Sequence, residues 1–174
     1  MKSRTPQKLD IEFKKSEGRT LVYEKLKSEL TGQYQRAWDS FGMLVLDVSL
    51  EQLLPLVNRL KDDFSFDLLL DITAVDYPER ELRFDLVYHL FSSESRKRIR
   101  LKLCIAEDES QVPTVTRLYG SANYLEREVH EMYGVRFADN DDLRPILLYE
   151  GFEGHPLRKD YPMDLEQPLV DYRK

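Results

Sequence analysis

The stretch Phe66-Asp67-Leu68-Leu69-Leu70-Asp71-Ile72-Thr73-Ala74 sets Phe66, Leu68, Leu70, Ile72 and Ala74 against Asp67, Leu69, Asp71 and Thr73. Two similar runs follow. Leu82, Phe84, Leu86, Tyr88 and Leu90 alternate with Arg83, Asp85, Val87 and His89. Ile99, Leu101, Leu103 and Ile105 alternate with Arg98, Arg100, Lys102 and Cys104. A side-chain period of two puts one face of each strand on a core and the other toward solvent. The links Asp76-Tyr77-Pro78-Glu79-Arg80 and Ser92 to Ser95 are short enough for hairpins.

Upstream, Leu21, Val22, Leu26 and Leu30 keep helical spacing from Thr20 to about Leu30. Tyr34 to Trp38 and Met43 to Val48 predict two strands joined around Asp39-Ser40-Phe41-Gly42. Ser49 is placed to cap a helix running to about Lys61, with Leu50, Leu53, Leu54, Val57 and Leu60 as its stripe. Pro55 argues for a kink or a later start. Downstream, Thr114 to Tyr119 reads as a short helix, and a charged helix from about Ser121 to Tyr133 stops at Gly134. The expected architecture is α+β and two-layered: helix, two strands, helix, three strands in a mixed sheet, then a C-terminal helix and an extended irregular tail. The expected divisions are a mobile segment 1–17, a domain 18–137 and a partner-binding segment 138–174.

Composition narrows the function classes. The chain has 174 residues, 41% hydrophobic and 33% charged, as in a soluble globular protein. No apolar run is long enough to span a bilayer. The N-terminus carries no hydrophobic signal region, and Asp10, Glu12 and Glu17 interrupt its basic residues. A single cysteine, Cys104, forms no intrachain disulfide and cannot by itself hold an iron–sulfur cluster. Net charge of −6 argues against nucleic acid. The one basic run, Arg96, Lys97, Arg98, Arg100 and Lys102, is read as the solvated face of a strand.

Chemistry concentrates near the C-terminus. On the charged helix, Ala122, Leu125, Val129 and Met132 make an apolar stripe. Glu126 and His130 stand four apart on another face, as do Arg127 and Glu131, while Glu128 adds to the alternating charge. A Glu/His pair at that spacing is compatible with a metal. The three histidines, His89, His130 and His155, nevertheless fall on different elements, so a solvated or interface-pairing face is the expected reading. Beyond it, Gly154-His155-Pro156-Leu157-Arg158-Lys159-Asp160-Tyr161 is a turn-enforcing strip around a cationic pair. It matches no phosphate loop and is expected to present Leu157 and Arg158 to a partner without a core role. Asp71, Asp76 and His89 stand on adjacent strands, where cross-strand pairing is the ordinary outcome.

These motifs resemble the family of the C subunit of the respiratory NADH:quinone oxidoreductase (complex I, NDH-1), shared with related membrane-bound hydrogenases. Gly154 to Asp160 matches the family strip, with Tyr161 where phenylalanine is common. Ala122 to Glu128, Asp71 to Tyr77 and Arg83 to His89 also fit, with Tyr124 at a usual tryptophan. Asp139 to Pro145 departs from a linker that is commonly Gly-His-Pro-Asp-Leu-Arg-Arg. The resemblance implies a scaffold protein of the peripheral arm on the cytoplasmic side of a bacterial inner membrane. It implies no cofactor in this chain, with FMN and iron–sulfur clusters in partner subunits. The implied partners are the quinone-pocket subunit and cluster-bearing subunits, with membrane contact only through the complex. Glu126, Arg127, Glu128, His130, Arg144 and the strip His155, Pro156, Leu157, Arg158, Lys159, Asp160 and Tyr161 are then expected at interfaces. Two other readings stand beside it: a hydrogenase-type complex with the same scaffold, and a stand-alone enzyme using Glu126, Glu128 and His130.

Overall fold

The computed structural model describes residues 17–107 and 111–167, with side chains from Tyr23 onward. The element order is α1 (Glu17–Glu29), β1 (Arg36–Ser40), β2 (Met43–Val48), α2 (Leu50–Asp62), β3 (Leu68–Asp76), β4 (Phe84–Ser92), β5 (Lys97–Ile105), β6 (Gln111–Pro113), α3 (Ala122–Tyr133) and β7 (Arg136–Ala138). Five strands form one mixed sheet in the order β1-β2-β5-β4-β3. Only β2 and β5 run parallel within it. The α+β reading holds. The N-terminal segment 1–17 lies outside the described residues except Glu17, which already belongs to α1.

The core face expected for β4 and β5 is kept, although Asp85 and Val87 on the other face of β4 are buried too. Phe84, Leu86, Tyr88, Leu90, Ile99, Leu101 and Leu103 are buried in a core shared with all three helices. In β3 it is not. Leu68 and Leu70 are exposed, while Leu69, Ile72 and Ala74 are buried. The register shifts between Leu69 and Asp71. A bulge there changes the phase, so the first half of the run presents the opposite residues to the core.

In α2 the buried stripe is Leu53, Leu56, Val57 and Leu60, whereas Leu54 faces out. Burying each of these leucines contributes about 1.5–3 kcal/mol, enough to keep the helix continuous through Pro55. Ser49 stands at the N-cap but makes no side-chain capping bond. Phe41 and Gly42, both at positive φ, form the two-residue β1–β2 turn.

The segment 114–119 is a set of turns rather than the expected helix. The short strands β6 and β7 pair in parallel on either side of α3. Three-residue strands carry too little alternation to be visible in sequence.

Candidate functional site

The C-terminal end of α3 is where the chain's motifs converge. The last carbonyls of a helix lack intrahelical partners, and here each of the final four has one. Gly134 N–H donates to the His130 carbonyl at 2.8 Å. The His155 Nδ1 bonds the Glu131 carbonyl at 2.9 Å. Leu157 N–H donates to Met132 at 3.2 Å, and Arg158 Nε to Tyr133 at 2.6 Å. The strip Gly154 to Asp160 is therefore a cap assembled from distant sequence. Its arginine also places a positive charge at the negative end of the helix dipole. Gly134, at φ 79°, leaves the room: a Cβ there would stand 2.5 Å from Arg158 Nη2 and 2.6 Å from His155 Nε2.

Beside the cap lies a charge network at one end of the sheet. Arg83 grips Asp76 through two bonds of 2.8 and 2.9 Å. It reaches Glu107 at 2.7 Å and Asp160 at 2.8 Å. Glu107 turns its other oxygen to Arg158 at 2.7 Å, and Lys159 N–H donates to Asp76 at 2.7 Å. The guanidinium carbons of Arg83 and Arg158 stand 5.2 and 5.3 Å from the centre of the Phe84 ring. The hydrogen bonds from Arg83 hold the Asp76 and Asp160 carboxyls below their usual range, against the opposing effect of burial.

The charged helix uses most of its charge inward. Glu126 is fully buried, not on the solvated face expected for it. It accepts from Thr114 Oγ1 at 2.6 Å, Val115 N–H at 2.8 Å and Asn140 Nδ2 at 2.8 Å. Those groups follow β6 and β7, so one carboxylate ties the exits of both strands to α3. Burial raises its pKa in spite of these donors. Glu131, also buried, accepts the successive amides of Ile146, Leu147 and Leu148 at 3.2, 2.9 and 2.7 Å. Arg127 donates to the Arg144 and Pro145 carbonyls at 2.8 and 3.0 Å. It does not pair with Glu131.

The remaining candidates separate into inward and outward groups. His130 Nδ1 bonds the Val135 carbonyl at 2.8 Å. Arg144 is exposed and pairs with Asp142 at 2.7 Å. Pro156 is half-buried in the cap. Tyr161 stacks on Phe152 with ring centres 6.1 Å apart, and its hydroxyl accepts from Gln167. Arg158, expected to have no core role, is thus a structural tie. The outward group is Glu128, Leu157 and the Lys159 side chain. Glu126, Glu128 and His130 do not converge, so the constellation invoked for a stand-alone enzyme is not formed. Among the described residues, no group of three His, Cys, Asp or Glu side chains is arranged to hold a metal. His89 meets Asp71 across the strands at 3.7 Å, while Asp76 is engaged elsewhere.

Sequence reasoning gave Arg83 and Glu107 no part in the site, and it set Asp76 and Glu131 against other partners than the ones they hold. A signal existed for Glu126, because Ala122, Glu126 and Val129 share the i, i+4, i+7 spacing of one face. The Arg83–Asp76 pair flanks the β3–β4 loop, where Asp76 stands opposite Phe84.

Residues 46–167 match the family described as "Respiratory-chain NADH dehydrogenase, 30 Kd subunit". The C subunit of the NADH-quinone oxidoreductase of Ruegeria pomeroyi is 50% identical over 129 residues, 72% of this chain and 64% of that protein. Its counterpart in Phenylobacterium zucineum is 49% identical, over 71% of this chain and 59% of that protein. The chain thus spans less than two thirds of the length of these relatives. A solved trypsin-resistant fragment (1–134) of Nqo5 superposes with a TM-score of 0.60 at 31% identity, covering 72% of this chain and 98% of the fragment. A chain of the membrane-bound sulfane sulfur reductase, an archaeal respiratory membrane complex, gives 0.73 at 28% identity, covering 84% and 87%. By its family match and its half-identical relatives, the chain belongs to the respiratory-chain NADH dehydrogenase 30 kDa subunit family.

Proposed function

We propose that the chain is a non-catalytic scaffold in the peripheral arm of an NADH:quinone oxidoreductase. In this reading FMN and iron–sulfur clusters sit in neighbouring subunits and carry electrons from NADH to quinone, coupled to proton translocation. The chain braces the quinone-pocket subunit against the cluster-bearing ones, on the cytoplasmic side of a bacterial inner membrane. No helix among the described residues is long and apolar enough to cross a membrane, so in this reading contact with the bilayer runs through the complex.

The observation that carries this reading is the two-sidedness of the C-terminal segment. Hydrogen-bonding groups of the strip turn inward to α3 and the sheet end, while four apolar side chains of the segment turn outward. Leu147 is 62% exposed, Leu157 and Leu165 each 49%, and Met163 fully. Apolar surface held outward by a bonded backbone suits a protein partner, since covering it contributes about 25 cal/mol per Å².

The test uses the full chain in its native complex. Leu157→Asp combined with Met163→Asp leaves the melting temperature of the isolated chain unchanged and lowers recovery of the assembled, NADH-oxidising complex. Normal assembly of that variant overturns the reading. The similarity to the sulfane sulfur reductase chain favours a second reading, in which the same scaffold serves a complex with a different redox partner. Mass spectrometry of the proteins purified with the chain from native membranes separates the two. An NADH-oxidising flavoprotein supports the first, and its absence beside another oxidoreductase supports the second.

A further inference from the structure

The basic run in β5 lies on a different part of the molecule from the C-terminal cap. It borders a cavity of about 620 Å³ at the sheet end where β1 and β4 finish and β2 and β5 begin. Arg96, Lys97, Arg98 and Arg100 line it together with Tyr23, Phe41 and Phe91, and among the described residues no carboxylate is in the lining. Asp39 near the end of β1 and Glu94 on the β4–β5 turn stand close by in sequence, with the Asp39 carboxylate accepting from Gly42 N–H at 3.1 Å.

Two other cations on the sheet or at its far end find acids. Lys102, two residues on from Arg100, pairs with Asp85 at 2.8 Å, and Arg83 holds three carboxylates. Around the cavity none of the four cations pairs with a carboxylate among the described residues. Lys97 sits 5.8 Å from the Tyr23 ring centre, and Arg98 sits 6.0 Å from that of Phe91. Arg100 donates its Nε to His89 Nε2 at 2.8 Å, leaving its terminal amines without a hydrogen-bond partner among the described residues. Four positive charges around one concavity repel one another, in a protein whose net charge is −6. A bound polyanion relieves that repulsion.

We propose that this cavity binds a small phosphate-bearing polyanion. The arginine forks match phosphate oxygens in pairs, and Lys97 supplies compact charge. The volume suits a small molecule rather than a protein segment. Phe41, 90% exposed on the rim, offers a flat apolar surface to any ring the ligand carries. This inference is independent of the scaffold reading.

Calorimetric titration of the full chain with sodium tripolyphosphate tests it, with inorganic phosphate and anionic phosphatidylglycerol vesicles as parallel arms. The expected result is one saturable site per chain, with a Kd below about 1 mM at about 150 mM salt. Arg98→Ala with Arg100→Ala weakens it at least about tenfold. Arg96→Asn, which tolerates the positive φ of 53° at that turn, weakens it less. Arg36→Ala, outside the cavity lining, leaves it unchanged. No saturable binding, equal loss with Arg36→Ala, or binding to vesicles alone each overturns the proposal. Melting curves separate lost binding from lost fold in the double variant.

Discussion

Gly134 and Arg158 are two halves of one contact. The glycine ends α3 in a left-handed turn, and the arginine and His155 occupy the space where its side chain would be. Gly134→Ala is therefore expected to cost about 1–3 kcal/mol by chemical denaturation, from backbone strain together with displacement of the cap. Arg158→Ala removes a bond to the Tyr133 carbonyl and the pair with Glu107, for a loss of about 1–3 kcal/mol. Lys159→Ala, whose side chain is outward, stays within about 0.5 kcal/mol. The two neighbouring cations are thus separable by melting alone. The Asp76 carboxyl gives a pH signature. Its folded pKa is depressed, so its stabilising effect is complete above the ordinary value of about 3.9 and fades as pH falls through the folded value. Asp76→Asn should accordingly be less stable than the native chain at neutral pH. The gap should narrow in denaturation series taken below about pH 4.

Helix α3 is amphipathic in an unusual sense, because two of its inward positions are carboxylates. Each collects donors from distant sequence: Glu126 takes the Val115 amide and the Thr114 and Asn140 side chains at the exits of β6 and β7, and Glu131 takes the amides of residues 146–148. A carboxylate supplies two acceptor oxygens, whereas an amide supplies one oxygen and an extra donor. Glu131→Gln should thus leave amides unsatisfied and cost about 1–3 kcal/mol. The accompanying sign is faster proteolysis near Leu147, measured by limited digestion and mass spectrometry. Helical periodicity finds such a helix but does not say what a buried polar position bonds to. A partner segment more than ten residues away in sequence decides that.

Across the whole molecule, the C-terminal segment is folded back onto the domain as far as Asp160, and Tyr161 and Gln167 bond within the segment itself. Amide hydrogen exchange on the isolated full chain should show Leu148, Leu157 and Lys159 protected, because their N–H groups are bonded to Glu131, Met132 and Asp76. Exchange of these amides as fast as that of an unstructured peptide would contradict the cap. The interior alternation of β4 and β5, the boundaries of β2 and the placement of α2 and α3 were all legible from spacing, because each reflects a local period repeated over several residues. The strip around Arg158 was legible as a motif, and the resemblance it carried led to the family that residues 46–167 match. What spacing could not supply was the bulge at Leu69–Asp71, the pairing of β6 with β7, the partners of Glu126, and the inward turn of Glu131 and Arg158. Those features depend on contacts between residues far apart in the chain. Whether a charge is solvated or buried follows from which donors the fold brings to it, and that is settled only when the helix end, the hairpin and the strip meet.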